Sequence, residues 1–173
     1  ELVVAVGRLV DAKDYDNLLN AFKTVSESRP QAKLWIVGDG PYRQALTELV
    51  GTLGLSAAVR FLGVRSDVNK IYNAADLYVL SSAWEGFGLV VAEAMASEKL
   101  VVATDCGGVK EVLGGCGYLV PAKNSKRLAQ AMATALDSSP NEKDQLSRTA
   151  RTRIVEHYSI NEIVGIWTRL YTA

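Results

Sequence analysis

A chain of 173 residues, 49% hydrophobic and 22% charged, has the size and composition of one globular domain with a real core. Its 19 basic residues balance 19 acidic ones, which excludes a surface devoted to nucleic acid or anionic lipid. No apolar run approaches the ~18 residues of a membrane span and no signal peptide is visible; Cys106 and Cys116, without a CxxC pair or a nearby histidine, read as free thiols in a reducing compartment, not as a zinc site or disulfide framework.

Glu1 to Gly7 opens directly on a buried strand, Leu2–Val6, with no lead-in, so the chain is expected to be a piece of a longer protein. Gly7 to Lys13 forms a loop, and a helix follows from Tyr15 to Ser28. There Leu18, Leu19, Phe22 and Val25 recur at helical spacing, with Asp14 or Asp16 placed to cap its start. Strand Lys33–Val37 leads to Gly38-Asp39-Gly40-Pro41 and a helix from Pro41 to Leu53, proline suiting a first turn. A short strand, Val59–Leu62, is closed by Gly63, and Asp67 is expected to cap a helix through Ala74. Strand Asp76–Leu80 precedes the loop Ser81 to Gly88 and the apolar helix Leu89 to Ala96. Strand Leu100–Thr104, a glycine turn, a short helix from Val109 and strand Gly117–Val120 come next. Helices over 125–137, 141–157 and 160–171 finish the chain. Trp35 is expected in the core, His157 on the surface, and the stripe Ile163, Trp167 and Leu170 in core or interdomain packing.

Strands and helices alternate, and the central strands are continuous apolar runs, as in a parallel sheet covered on both faces. In such a sheet every loop that follows a strand lies on one edge, where ligands bind. Glycine-bearing loops follow five strands here: 7–13, 38–41, 63–66, 81–88 and 105–108. So many close backbone approaches on one rim suit a ligand with several parts, such as a nucleotide carrying another group.

Gly86, Phe87, Gly88 and Leu89 sit at a helix start, where free N–H groups and the helix dipole favour an anion. Arg8 and Lys13 share the rim, and together they would make a diphosphate site; taken singly, each reads as a solvated cation. Glu85 lies just before the helix, and Glu93 stands on the face of Leu89, leaning back toward the loop. Two carboxylates so placed could grip sugar hydroxyls on either side of a diphosphate. The plainer readings are a solvated loop acid for Glu85 and a buried ion pair of Glu93 with Lys110 or Arg65. Gly38-x-Gly40 alone is weak, since Arg43 occupies the third glycine's place in the dinucleotide pattern.

Four segments now coincide with one family. Arg8 and Lys13 in GRLVDAK, GDGP at Gly38–Pro41, VRFLG at Val59–Gly63 and, above all, Glu85-GFGLVVA-Glu93 resemble the retaining GT-B glycosyltransferases of family four, or group 1, over nearly the whole chain. The resemblance implies an α/β fold: a single Rossmann-like domain over residues 1–173, with a parallel sheet of about six strands, helices on both faces and C-terminal helices. It implies the C-terminal, donor-binding half of a two-domain enzyme whose N-terminal acceptor domain is absent from the chain. Such an enzyme transfers a sugar from a nucleoside-diphosphate sugar to a sugar, glycan or lipid-linked acceptor, as in polysaccharide biosynthesis. By motif match, Arg8, Lys13 and Glu85 are the catalytic group. Gly7, Gly38, Asp39, Gly63, Val64, Gly86, Phe87, Gly88, Leu89 and Glu93 line the donor site, with Glu93 on the ribose and Gly63 and Val64 at the base.

The resemblance also implies a UDP-sugar or GDP-sugar as partner, no cofactor and no essential metal, since Arg8 and Lys13 neutralise the diphosphate. Acceptor and any membrane contact fall to the other domain. The setting is cytoplasmic, or peripheral at the inner face of a membrane, and the isolated chain is expected not to turn over. Ser97-Glu98-Lys99-Leu100 departs from the family's Gly-Leu-Pro, and the segment from Val112 to Gly117 is short. A sugar-nucleotide epimerase shares the fold but is disfavoured by the Glu85–Glu93 motif. A non-catalytic nucleotide-binding or receiver-like module would want acidic residues where Arg8 stands.

Overall fold

A computed structural model describes residues 1–172. Six strands, β1 (Leu2–Val6), β2 (Lys33–Val37), β3 (Val59–Gly63), β4 (Leu77–Leu80), β5 (Val101–Asp105) and β6 (Tyr118–Pro121), form one sheet in the order β3-β2-β1-β4-β5-β6. Every neighbouring pair is parallel. The first three strands build outward on one side of β1, and the chain then crosses back to start β4 on its other side. That reversal leaves β1 beside β4, with Val3 opposite Leu77 and Val4 opposite Tyr78.

Apolar residues alternate in side but not in character along these strands, because both faces are covered. Val3 and Ala5, Leu34 and Ile36, Leu77 and Val79 face α1 (Tyr15–Ser28), whose Leu18, Leu19 and Phe22 are buried, and α6 (Ser125–Asp137). Val4 and Val37 face α3 (Val68–Ala74). Tyr78, Leu80, Val101 and Ala103 face α4 (Leu89–Ala96), α5 (Val109–Leu113) and α7 (Pro140–Tyr158). α2 (Arg43–Thr52) and α8 (Ile160–Thr172) complete the helices.

Most element ends shift by a residue or two from the sequence reading, as element ends do. Larger differences have identifiable causes. Pro41 and Tyr42 form a turn and α2 begins only at Arg43, since the Tyr42 N–H is bound back to the Leu9 carbonyl at 3.1 Å. Asp67 makes no side-chain cap for α3, because Arg65 takes its carboxylate at 2.8 Å. Trp35 is only partly buried, near the outer side of the sheet. The α8 stripe is not core in this chain: α8 buries no residue, and Trp167 and Leu170 are 53% and 66% exposed. His157 is exposed, as expected.

Glu98, in the turn between α4 and β5, has a φ of +54°. A side chain is disfavoured there by the contact of Cβ with the following carbonyl. Its carboxylate has only a half-exposed Arg151 at 3.5 Å as compensation. Glu98→Gly is therefore expected to raise stability by up to about 1 kcal/mol. Phe22→Ala, at a fully buried position, is expected to lower it by about 3–5 kcal/mol. Urea denaturation of the two variants beside the wild type measures both.

Candidate active site

The loops after β1 and β4 meet because their strands are neighbours. The Ala12 carbonyl accepts the N–H groups of Ala83 and Trp84 at 2.9 and 3.3 Å. Ser81 Oγ donates to the Lys13 carbonyl at 2.8 Å. These bonds hold the 3-10 turn Asp11–Lys13 against the second loop, and they carry Lys13 Nζ onto Glu85 Oε1 in an ion pair that is mostly shielded from solvent. Ser82 Oγ donates to the same carboxylate oxygen at 2.7 Å. Ser82 is fully buried, and Thr104 Oγ1 on β5 donates to its carbonyl at 2.7 Å. Below them the buried Tyr15 hydroxyl donates to the Gly7 carbonyl at 3.2 Å.

Two glycines make these approaches possible. A Cβ on Gly38, whose φ is +129°, would lie 2.0 Å from the Gly7 carbonyl oxygen, so the first and second loops could not close together. A Cβ on Gly107, φ +52°, would lie 1.6 Å from the Glu85 carbonyl oxygen. The Gly108 N–H meanwhile donates to the Gly86 carbonyl at 3.0 Å, tying the β5 loop under the one that carries Glu85. On the other side Leu9 N–H donates to the Asp39 carbonyl at 3.0 Å, and Gly38 N–H to the Gly63 carbonyl at 2.8 Å. Asp39 is exposed, folding its carboxylate onto the Gly40 N–H at 2.7 Å, and Val64 is 81% exposed.

At the start of α4, no N–H of residues 86–90 donates to another protein group among the described residues. The helix dipole adds to the attraction of these donors for an anion. Phe87 turns its ring onto Tyr158 of α7, 5.4 Å between centroids, so it offers the rim its backbone. Leu89 is 67% exposed. Arg8 is exposed on the first loop and makes no ion pair among the described residues.

Glu93 is exposed, which removes the buried-ion-pair reading and agrees with its placement on the face of Leu89, leaning toward the loop. It stands on the exposed face of α4, and neither Lys110 nor Arg65 pairs with it. Helix α4 packs against the sheet, α5 and α7, and its one charged residue marks the face they leave open. The partner of Glu93 is the Tyr72 hydroxyl of α3, which donates to Oε2 at 3.2 Å and approaches the Val90 carbonyl at 3.3 Å. Burial, and then the nearby Glu93 charge, push the Tyr72 phenol well above its ordinary range, so it remains a proton donor. Burial likewise raises the Cys106 thiol, which suits a packed residue and not a nucleophile. Cys106 and Cys116 are both free.

The rim therefore gathers Arg8, Lys13, Glu85, the N–H groups of Gly86 to Leu89, and Glu93, flanked by Gly7, Gly38, Asp39, Gly63 and Val64. Ser82, Thr104, Tyr15 and Tyr72 support it and were not singled out in the sequence. Serine beside Glu85 gave a faint signal; Tyr72, 21 residues from Glu93, gave none. A separate hollow of about 350 Å³, lined by Leu100, Tyr118 and Ser138 among others, lies at the amino ends of β5 and β6, away from the glycine loops of the rim.

The glycosyl transferases group 1 family model matches residues 1–153. The chain belongs to that family, and its fold is the Rossmann-like domain of GT-B enzymes. It is 30% identical over 174 residues to N-acetyl-alpha-D-glucosaminyl L-malate synthase of Bacillus anthracis, covering 99% of this chain and 45% of that protein. Anabaena HepE, solved with UDP-glucose, superposes with a TM-score of 0.90 at 28% identity, over 99% of this chain and 49% of that one. A C-terminal domain of a group 1 protein, LpcC of Francisella tularensis, was crystallised by itself; it matches with a TM-score of 0.81 at 26% identity, over 92% of this chain and 87% of that one. The chain thus spans about half the length of its longer relatives.

Gly107→Ala is expected to destabilise the fold by about 1–3 kcal/mol through strain and overpacking. Its Cβ must displace the Glu85 backbone, so the near-ultraviolet signal of the adjacent Trp84 should change. Unchanged stability and spectrum would mean that the close approach is not made in solution.

Proposed function

We propose that this chain is the donor-binding, C-terminal half of a retaining glycosyltransferase with two facing Rossmann-like domains. It would move a hexose-like sugar from a UDP- or GDP-sugar to a sugar, glycan or lipid-linked acceptor held by the other domain. One observation carries the reading: Glu85 and Glu93 flank a helix start with unpaired N–H groups, at the strand-order reversal and beside two cations. The UDP-glucose bound to HepE supports the class of donor.

In this reading the N–H groups of Gly86 to Leu89, with Arg8 and Lys13, take the diphosphate. Each charge-assisted hydrogen bond contributes ~1.5–3 kcal/mol. The Lys13 ammonium has three donors; one is on Glu85, and the others remain for phosphate. Glu85 then touches both cation and sugar, so the charge that binds the diphosphate also orients the hydroxyl grip. Glu93 takes the ribose hydroxyls, and the backbone of Gly63 and Val64 borders the base. As the bond from the anomeric carbon to the diphosphate oxygen breaks, negative charge grows on the leaving phosphate and Arg8 and Lys13 stabilise it. The acceptor hydroxyl attacks the same face of the sugar and passes its proton to the departing phosphate oxygen, which keeps the anomeric configuration. Two cations supply the charge, so the reading needs no cofactor and no essential metal.

Because the acceptor reaches the sugar from outside this rim, turnover requires the facing domain. Among the described residues no helix is long and apolar enough to cross a membrane. A cytoplasmic setting, with any contact at a membrane's inner face made by the other domain, belongs to the same proposal.

The chain should bind UDP or GDP with a dissociation constant of ~10 μM–1 mM. Glu93→Ala should weaken nucleoside diphosphate binding, whereas Glu85→Ala should mainly cost the added affinity of the sugar-bearing donor. Calorimetry decides: no nucleotide binding at millimolar concentration, or two variants indistinguishable from wild type with both ligands, would overturn the assignment.

A further inference from the structure

Each of the two carboxylates has one oxygen taken by a buried hydroxyl and one with no protein partner among the described residues. Glu85 Oε1 accepts from Ser82 Oγ and Lys13 Nζ, and its Oε2 accepts nothing. Glu93 Oε2 accepts from Tyr72 Oη, and its Oε1 accepts nothing. Both hydroxyls are out of solvent, Ser82 at 0% and Tyr72 at 2% exposure.

Both are also anchored in the sheet. Thr104 of β5 donates to the Ser82 carbonyl at 2.7 Å. The Tyr72 ring packs edge-on against Tyr78 of β4, 5.6 Å between centroids. Ser82, in the loop after β4, is thus tied to β5, and Tyr72, on α3, is braced against β4. A glutamate on an exposed helix face otherwise samples several rotamers, and ordering it weakens whatever it binds.

We propose that Ser82 and Tyr72 are positioning residues, one for each carboxylate, which pin one oxygen so that the other faces the ligand. Ser82 orients Glu85 toward the sugar, and Tyr72 orients Glu93 toward the ribose. This rests on the donor-site reading above. Neither residue touches the ligand, so each acts only through its own glutamate. Two consequences separate this from a packing role. The effects are ligand-selective, and each disappears when its glutamate is already neutralised.

The test uses calorimetry on the 173-residue chain, which has its own two-sided core and a relative that crystallises as a lone domain. The probes are UDP and GDP and their glucose esters. Tyr72→Phe keeps the ring and its packing. It is expected to weaken the nucleoside diphosphate about fivefold to tenfold, and to add nothing in a Glu93→Gln background. Ser82→Ala should change nucleoside diphosphate binding less than about twofold, while removing most of the extra affinity of the sugar ester, and should add nothing in a Glu85→Gln background. If Ser82→Ala fails to fold, Thr104→Val, which frees the Ser82 carbonyl, should act in the same direction.

Equal losses for both ligands, or losses that persist without the partner glutamate, overturn the positioning roles and leave the donor site standing. So does wild-type binding by both hydroxyl variants when the glutamate variants are impaired. A wild-type chain that binds none of the probes, or glutamate variants that bind as wild type, overturns the donor-site reading and this inference together.

Discussion

The pairing of β1 with β4 is the constraint on which the rest depends. There the strand order reverses, and the loops after β1 and β4 leave the sheet side by side with α1 and α4 departing to opposite faces. The gap between them is lined by the Lys13 turn on one side and Glu85 on the other. Hydrogen bonds from Ala83 and Trp84 to one carbonyl, and from Ser81 to the next, close it at the bottom. The apolar surface buried on both sides of β1 and β4 holds this pairing, so the site inherits its rigidity from the core.

Within that frame the polar groups are arranged with little redundancy. Lys13 serves as counter-ion to Glu85 and retains donors for an anion. The N–H groups opening α4 stay unpaired because the chain enters the helix through Gly88, which has no side chain to cap them. Supporting hydroxyls are buried, while Arg8, Leu89 and Glu93 on the rim are exposed. An open rim of this kind suits half of a cleft. Relatives about twice as long have room for a second wall.

The departure at Ser97-Glu98-Lys99 shows how local cost is tolerated beside such a frame. Helix α4 must end and turn within three residues to enter β5, and that turn needs a left-handed residue. Glutamate occupies it at a strain of order 1 kcal/mol, at the end of α4 opposite the rim.

The amino-acid sequence by itself determined the alternation of strand and helix, the parallel sheet, and the rim that carries Arg8, Lys13, Glu85 and the α4 start. These follow from local signals: apolar runs between glycine turns, and helical spacing in α1. Sequence also singled out Glu93 but left open a ligand-facing carboxylate or a buried ion pair, since apolar neighbours along a helix do not say which face lies open. Tertiary structure alone decided that Glu93 is exposed and held by Tyr72, that Lys13 pairs with Glu85, and that Asp67 turns to Arg65 instead of capping α3. It also decided that the α8 stripe finds no core here. Each is a choice among partners distant along the chain or competing within reach, and that choice depends on which strands lie side by side, a property no local pattern contains.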